Sequence, residues 1–247
     1  MYNTFKFAFT LAEVLITLAI IGVITAMTLP ALINKTNNTE MVVGAKKYQS
    51  VLSQAIKKYQ LDNGCIGDLS VCNAFSGDGD HTAAWDALKP YFNLTKDCGI
   101  NTGQGCFPLG VTYKTIHTVT TTVFDNESDP KGSLADGSSM RLYDYSGNCT
   151  YDTSRENKDP MYHACGYFTV DVNGYKPPNR IGRDTFRWFV TRQGIIPAGN
   201  SDDSTYANTD KSPRCDPGYS GSGSNAVINN GGYGCTAKIL TEGAMNY

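Results

Sequence analysis

Twenty consecutive residues, Val14 to Ile33, carry no charge, and that run constrains the chain more than any other feature. At a rise of about 1.5 Å per residue, a helix of this length crosses the roughly 30 Å hydrocarbon core of a bilayer. Lys6 precedes the run and Lys35 follows it, so flanking charge sets no strong orientation. A secretory signal peptide would have a shorter apolar stretch ending in a small-residue cleavage site. Here the run is too long, and a helical pattern continues beyond it. Glu13 stands at the edge of the run, four residues after Phe9. A carboxylate beside hydrocarbon is costly, so it must reach the headgroups or meet a partner.

The residues around it read Lys6-Phe7-Ala8-Phe9-Thr10-Leu11-Ala12-Glu13-Val14-Leu15-Ile16. This resembles the prepilin processing signature G-F-T-L-x-E followed by an apolar helix, with Ala8 where the family usually has Gly. The resemblance to type IV pilins and type II secretion pseudopilins covers roughly residues 6–33. It implies that a prepilin peptidase cuts between Ala8 and Phe9 on the cytoplasmic side and methylates the new amine. Glu13 is then the fifth residue of the mature chain. In the family that glutamate pairs with the amine of a neighbouring subunit, so Phe9 and Glu13 are expected to set the register of assembly. Gly22 and Pro30 fall where many type IV pilins have a helix-loosening glycine and proline. Glycine weakens a helix, and proline removes a backbone donor.

Beyond Pro30 the apolar residues Met41, Val42, Ala45, Tyr48, Val51, Leu52, Ala55, Ile56 and Tyr59 recur three or four apart, as one face of a helix requires. Lys46, Lys47, Lys57 and Lys58 occupy the other face. The stop is expected at Asp62-Asn63-Gly64, where Gly64 suits a C-cap. Residues 65–110 read as irregular, with one short helix near Thr82 to Tyr91. Strands are expected at Val111–Phe124, Ser139–Tyr145, Gly166–Val172 and Thr185–Thr191, where Phe186, Trp188 and Val190 alternate. Residues 199–234 read as a long polar loop region. The expected fold is therefore α+β, a long N-terminal helix packed against an antiparallel sheet of about four strands. Its divisions are a leader at 1–8, a membrane-spanning and polymerisation helix at 9–33, its amphipathic half at 34–64, and a globular disulfide-bonded head at 65–247.

All eight cysteines (Cys65, Cys72, Cys98, Cys106, Cys149, Cys165, Cys215, Cys235) lie beyond residue 60. None forms C-x-x-C, and the spacings match no zinc site. An even number on one side of a membrane segment points to disulfides in an oxidising compartment. Short loops close at least entropic cost, which favours Cys65–Cys72, Cys98–Cys106, Cys149–Cys165 and Cys215–Cys235. Formal net charge is −2, too small to steer the chain to nucleic acid.

No Ser/His/Asp set has a recognisable spacing, and the glycines of Gly218–Gly223 open no helix, so neither an enzyme nor a phosphate loop is expected. One loop bears on metal binding. Asp171-Val-Asn173-Gly174 leads through Pro177-Pro178-Asn179 to Asp184, and resembles a D-x-N-G turn common in pilin-like proteins. Asp171, Asn173 and Asp184 could offer oxygens to calcium, which some major pseudopilins bind in a head loop. They could equally form an Asx turn, their charge met by Lys176, Arg180 and Arg183. No other cofactor is expected.

The resemblance thus implies a structural subunit of a pilus or pseudopilus. Its partners would be copies of itself or related pilins in a helical filament, the peptidase, and the inner-membrane assembly machinery. It would sit in the bacterial inner membrane with its head exported before assembly, then in a periplasmic pseudopilus or a surface pilus. Two alternatives stand beside it: a minor subunit that primes or caps the filament, and a membrane-tethered extracellular binding module.

Overall fold

The structure is a computed structural model that describes residues 10–77, 81–116, 120–145, 147–152, 160–200, 215 and 231–247; the side chains of 31, 34, 120, 121 and 160 lie outside that description. The chain divides into two compact units, Met1–Glu40 and Met41–Tyr247. One helix, α1 (Leu11–Asp62), runs through both.

In the first unit α1 is helical throughout its described length. In the second its apolar stripe becomes a packing face: Val42, Ala45, Tyr48, Leu52, Ala55, Ile56 and Tyr59 are all buried. The helix ends where Asp62-Asn63-Gly64 predicts. Gly64 adopts φ +72°, Cys65 N–H donates to Gln60 O at 2.9 Å, and Gly64 N–H donates to Leu61 O at 3.4 Å. This is the Schellman pairing that satisfies the last carbonyls. The described head then contributes α2 (His81–Leu88), strands β1 (Leu94–Gly99), β2 (Thr112–Lys114), β3 (Thr120–Val123), β4 (Lys131–Leu134), β5 (Ser139–Asp144), β6 (Ala164–Asp171), β7 (Thr185–Thr191) and β8 (Gly194–Pro197), and a C-terminal helix α3 (Cys235–Glu242).

Six of these strands form one antiparallel sheet in the order β1-β4-β5-β6-β7-β8, and β2 and β3 pair separately. The fold is α+β as expected, but the sheet is wider than four strands. Three members lie outside the expected strands. β1 reads Leu-Thr-Lys-Asp-Cys-Gly and β4 reads Lys-Gly-Ser-Leu, both polar and without the alternation that marks a half-buried strand, and β8 is the short Gly-Ile-Ile-Pro that follows β7 directly. Val111–Phe124 is not one strand of that sheet. It supplies the small β2–β3 pair instead. Helix α3 was also unforeseen; of residues 199–234, read as loop, only 199, 200, 215 and 231–234 are described.

Register explains how the sheet buries both faces. Met140, Val170 and Phe186 lie abreast on β5, β6 and β7, as do Leu142, Phe168 and Trp188. These side chains share one core with the apolar face of α1. One residue along, Arg141, Thr169 and Arg187 lie abreast, and so do Tyr143, Tyr167 and Phe189. Alternate residues point to opposite faces, so this second set meets a different core. That core gathers Phe107, Tyr113, Phe124, Met161, Ile181, Ala198 and Tyr233 with Phe189. β7 is consequently buried at every position. Arg187 is buried in this layer, its guanidinium 3.8 Å from the Tyr167 ring centre and 3.5 Å from that of Tyr233, a pair of cation–π contacts.

Candidate functional site

The candidate site is the first part of α1. From Leu11 to Ile33 every described side chain is exposed. Leu15, Ile16, Leu18, Ile20, Ile21, Val23 and Ile24 include adjacent positions, so the apolar surface goes around the whole helix rather than along one stripe. By length and composition this helix is able to cross a membrane. Two of its hydroxyls are met within the helix: Thr17 Oγ1 donates to Val14 O and Thr28 Oγ1 to Ile24 O, each at 3.0 Å. Internal satisfaction of polar groups is what a hydrocarbon environment demands. Gly22 and Pro30 both lie inside α1, and a Cβ placed on Gly22 would meet nothing within 4 Å.

Glu13 sits in the first turn of α1, with Thr10 as the residue before the helix. The Glu13 carboxylate accepts from Thr10 N–H at 2.8 Å and from Thr10 Oγ1 at 2.8 Å, while Glu13 N–H donates to Thr10 Oγ1 at 3.2 Å. This is a capping box, which satisfies donors that the helix start leaves open. The spacing Thr-x-x-Glu was readable in the sequence. The processing positions Ala8 and Phe9 lie outside the described residues.

The head is stapled by four disulfides, Cys65–Cys72, Cys98–Cys106, Cys149–Cys165 and Cys215–Cys235. Each joins neighbours in sequence. Cys65–Cys72 closes the chain where it leaves α1. Cys98–Cys106 holds a loop to β1, Cys149–Cys165 a segment to β6, and Cys215–Cys235 residue 215 to the start of α3.

The calcium candidates come together at the end of β6 and the start of β7, but as turn-forming groups. Asp171 Oδ1 accepts from Asn173 N–H at 3.2 Å and Gly174 N–H at 2.9 Å, and its Oδ2 accepts from the Tyr113 hydroxyl at 2.5 Å. Asp184 accepts from Asn179 N–H at 2.6 Å, Arg180 N–H at 2.7 Å and the Thr185 hydroxyl at 3.2 Å. Asn173 Oδ1 is buried without a donor. The carboxylates thus face N–H and O–H groups, and no third acidic residue joins them among the described residues. This donor pattern does not fit a calcium cage, which needs about six to eight converging oxygens; it fits Asx turns. Burial, with the neighbouring Asp184 charge, holds the Asp171 carboxyl well above the usual carboxylate range. Burial likewise pushes Asp184 up to about 6, against the hydrogen bonds that favour its charge.

No family model, curated protein or solved structure matches this chain. The reading of the site rests on its own residues.

Proposed function

We propose that this chain is a structural subunit of a type IV pilus or type II secretion pseudopilus, cut between Ala8 and Phe9 and assembled through its N-terminal helix. One observation carries the reading: a single carboxylate, Glu13, stands at the start of α1 just before the uncharged stretch Val14–Ile33, whose apolar side chains face all sides, four residues after the phenylalanine of a prepilin-like signature. An amine created at Phe9 would lie about one helical turn from Glu13. In low dielectric an amine and a carboxylate attract strongly when paired and are costly apart, so pairing between subunits selects one stacking register. Under this reading the subunit rests in the bacterial inner membrane with its head exported, then enters a periplasmic or surface filament drawn up by separate assembly machinery. It has no catalytic role of its own. The test is mass analysis of the chain recovered from membranes and from sheared filaments. A mature chain starting at N-methylated Phe9 is expected. A chain that retains residues 1–8, or is cut after Ala26, sinks the proposal.

The Thr10–Glu13 capping box favours a second reading, a membrane-tethered module in which Glu13 serves only to start its own helix. The two differ in whether a neutral residue that can still cap replaces Glu13 without loss of filaments.

A further inference from the structure

Outside the helix and the Asx turns, the head buries a charged group that the assembly reading does not use. Lys131, the first residue of β4, is fully buried, as is the side chain of Asp125; Lys131 Nζ lies 3.8 Å from Asp125 Oδ1. The rest of the amine is spoken for: Nζ donates to Asn126 O at 2.5 Å and Ile100 O at 3.3 Å. The two oxygens of Asp125 are treated unequally. Oδ2 accepts Gly103 N–H at 2.8 Å. Oδ1, on the lysine side, is buried with no hydrogen-bond partner. Asp129 stands in the same group, its Oδ2 2.7 Å from Arg141 and its Oδ1 3.7 Å from His81 Nε2, buried with no hydrogen bond.

As an ion pair this arrangement is poor. Burying two charges is repaid only by close contact and full hydrogen bonding, and here the pair is beyond hydrogen-bond distance with one oxygen unsatisfied. As a reacting pair it needs only the 3.8 Å between Nζ and Oδ1 to close. An amine is held near a carboxyl group whose far oxygen is polarised by a backbone N–H, with water excluded. Fixed proximity of this kind replaces a large part of the barrier to a bimolecular step, and an N–H aimed at the developing oxyanion lowers it further.

We propose that Lys131 and Asp125 condense into an intramolecular amide, a covalent staple between the start of β4 and the loop before it. The Lys131 ammonium first gives one proton to the Asp125 carboxylate. The neutral amine then attacks Cγ, and the Nζ–Cγ bond forms. Oδ2 carries the developing negative charge against Gly103 N–H. The Cγ–Oδ1 bond breaks, Oδ1 takes a second proton from the nitrogen, and it departs as water. One ammonium and one carboxylate become one amide and one water, with no oxidant or other reactant. Burial, the largest influence on Lys131, lowers the affinity of its amine for a proton, which favours the nucleophilic form. The product removes both buried charges and leaves a carbonyl already hydrogen-bonded.

The experiment is mass spectrometry of the full chain purified from membranes in detergent, reduced and alkylated, then digested with trypsin. The intact chain is expected to be lighter by one water than the disulfide-corrected mass calculated for the N-terminus that its first peptide shows. Trypsin is expected to leave it uncut after Lys131, so that a peptide from Thr115 to Arg141 appears one water light and lacks fragment ions from within Asp125–Lys131. Lys131→Arg, which keeps a buried cation without a primary amine, is expected to restore the full mass. A wild-type chain of full mass with ordinary cleavage after Lys131 overturns the proposal, and so does a mass deficit that persists when Lys131 is cleaved normally. The wild-type result alone decides, so nothing depends on a variant folding.

Discussion

The Glu13 carboxylate accepts the Thr10 N–H at 2.8 Å, and the Thr10 hydroxyl accepts the Glu13 N–H at 3.2 Å. Glu13 therefore has a local partner at the start of α1 whatever it meets in an assembly.

That pairing shapes the first prediction. Glutamine can occupy the same capping position but cannot neutralise an amine. Glu13→Gln is therefore expected to keep the protein in the membrane at wild-type level while filaments fall sharply, as with Glu13→Ala. For a minor subunit, its own incorporation is the quantity followed. The measurement is sheared filament against membrane-bound protein. Wild-type filaments in Glu13→Gln, with loss only in Glu13→Ala, would mean that capping is the whole role of Glu13.

The second prediction concerns Asp184, whose folded carboxyl is pushed up to about 6 from 3.8, chiefly by burial. Between those values the folded state holds more protons than the unfolded one, so stability falls as pH rises through this window and is level above it. Asp171 shifts in the same sense. Asp136 works oppositely: burial pulls it up, but hydrogen bonds from Lys47, Ser138 and Tyr48 outweigh that and hold it down to about 2, so its effect lies below this window. The thermal midpoint is expected to be higher near about pH 4.5 than near about pH 7.5, and the difference is expected to shrink in Asp184→Asn. An unchanged difference in that variant would remove Asp184 from the account.

The third prediction follows from Tyr113. Its hydroxyl donates to buried Asp171 at 2.5 Å, and Tyr113 itself is fully buried. Tyr113→Phe leaves that acceptor short of a donor, at a cost of about 1–3 kcal/mol. The expected readout is a lowered denaturant midpoint at unchanged slope. An unchanged midpoint would show that the hydroxyl contributes nothing net.

The fourth prediction concerns Gly166, at the register shift where β6 passes β7. A Cβ there would lie 2.1 Å from Tyr143 O on the adjacent strand, a backbone atom that cannot swing away. Gly166→Ala is expected to destabilise the head by about 1–3 kcal/mol, as overpacking does. A wild-type thermal midpoint in Gly166→Ala would contradict the close approach of β5 and β6.

Periodicity and local chemistry made a large part of this architecture readable in the chain itself. The buried face of α1 from Val42 to Tyr59, its stop at Gly64, and the strands carrying Phe168, Val170, Phe186 and Trp188 follow from spacing alone, because those side chains interact through patterns that repeat locally. The disulfide partners are neighbours, so a local rule reached them too. The bare apolar helix and the carboxylate at its edge are likewise properties of consecutive residues.

Other features depended on residues far apart in sequence. β1 and β4 are polar and become strands because the growing sheet offers their backbones partners, which no pattern within Leu94–Gly99 or Lys131–Leu134 announces. The second face of the sheet is covered by loops, so Arg187 is buried between Tyr167 and Tyr233, two rings that the sequence sets far apart. Asp171 and Asp184 carry a ligand-like spacing, yet the orientation of nearby N–H groups turns them into turn formers. Nothing in the residues around Lys131 sets it apart from the other lysines of the chain. Only the packing of the loops around β4 strips it of water and sets it beside Asp125, because burial is decided by what covers a residue and not by the residue itself.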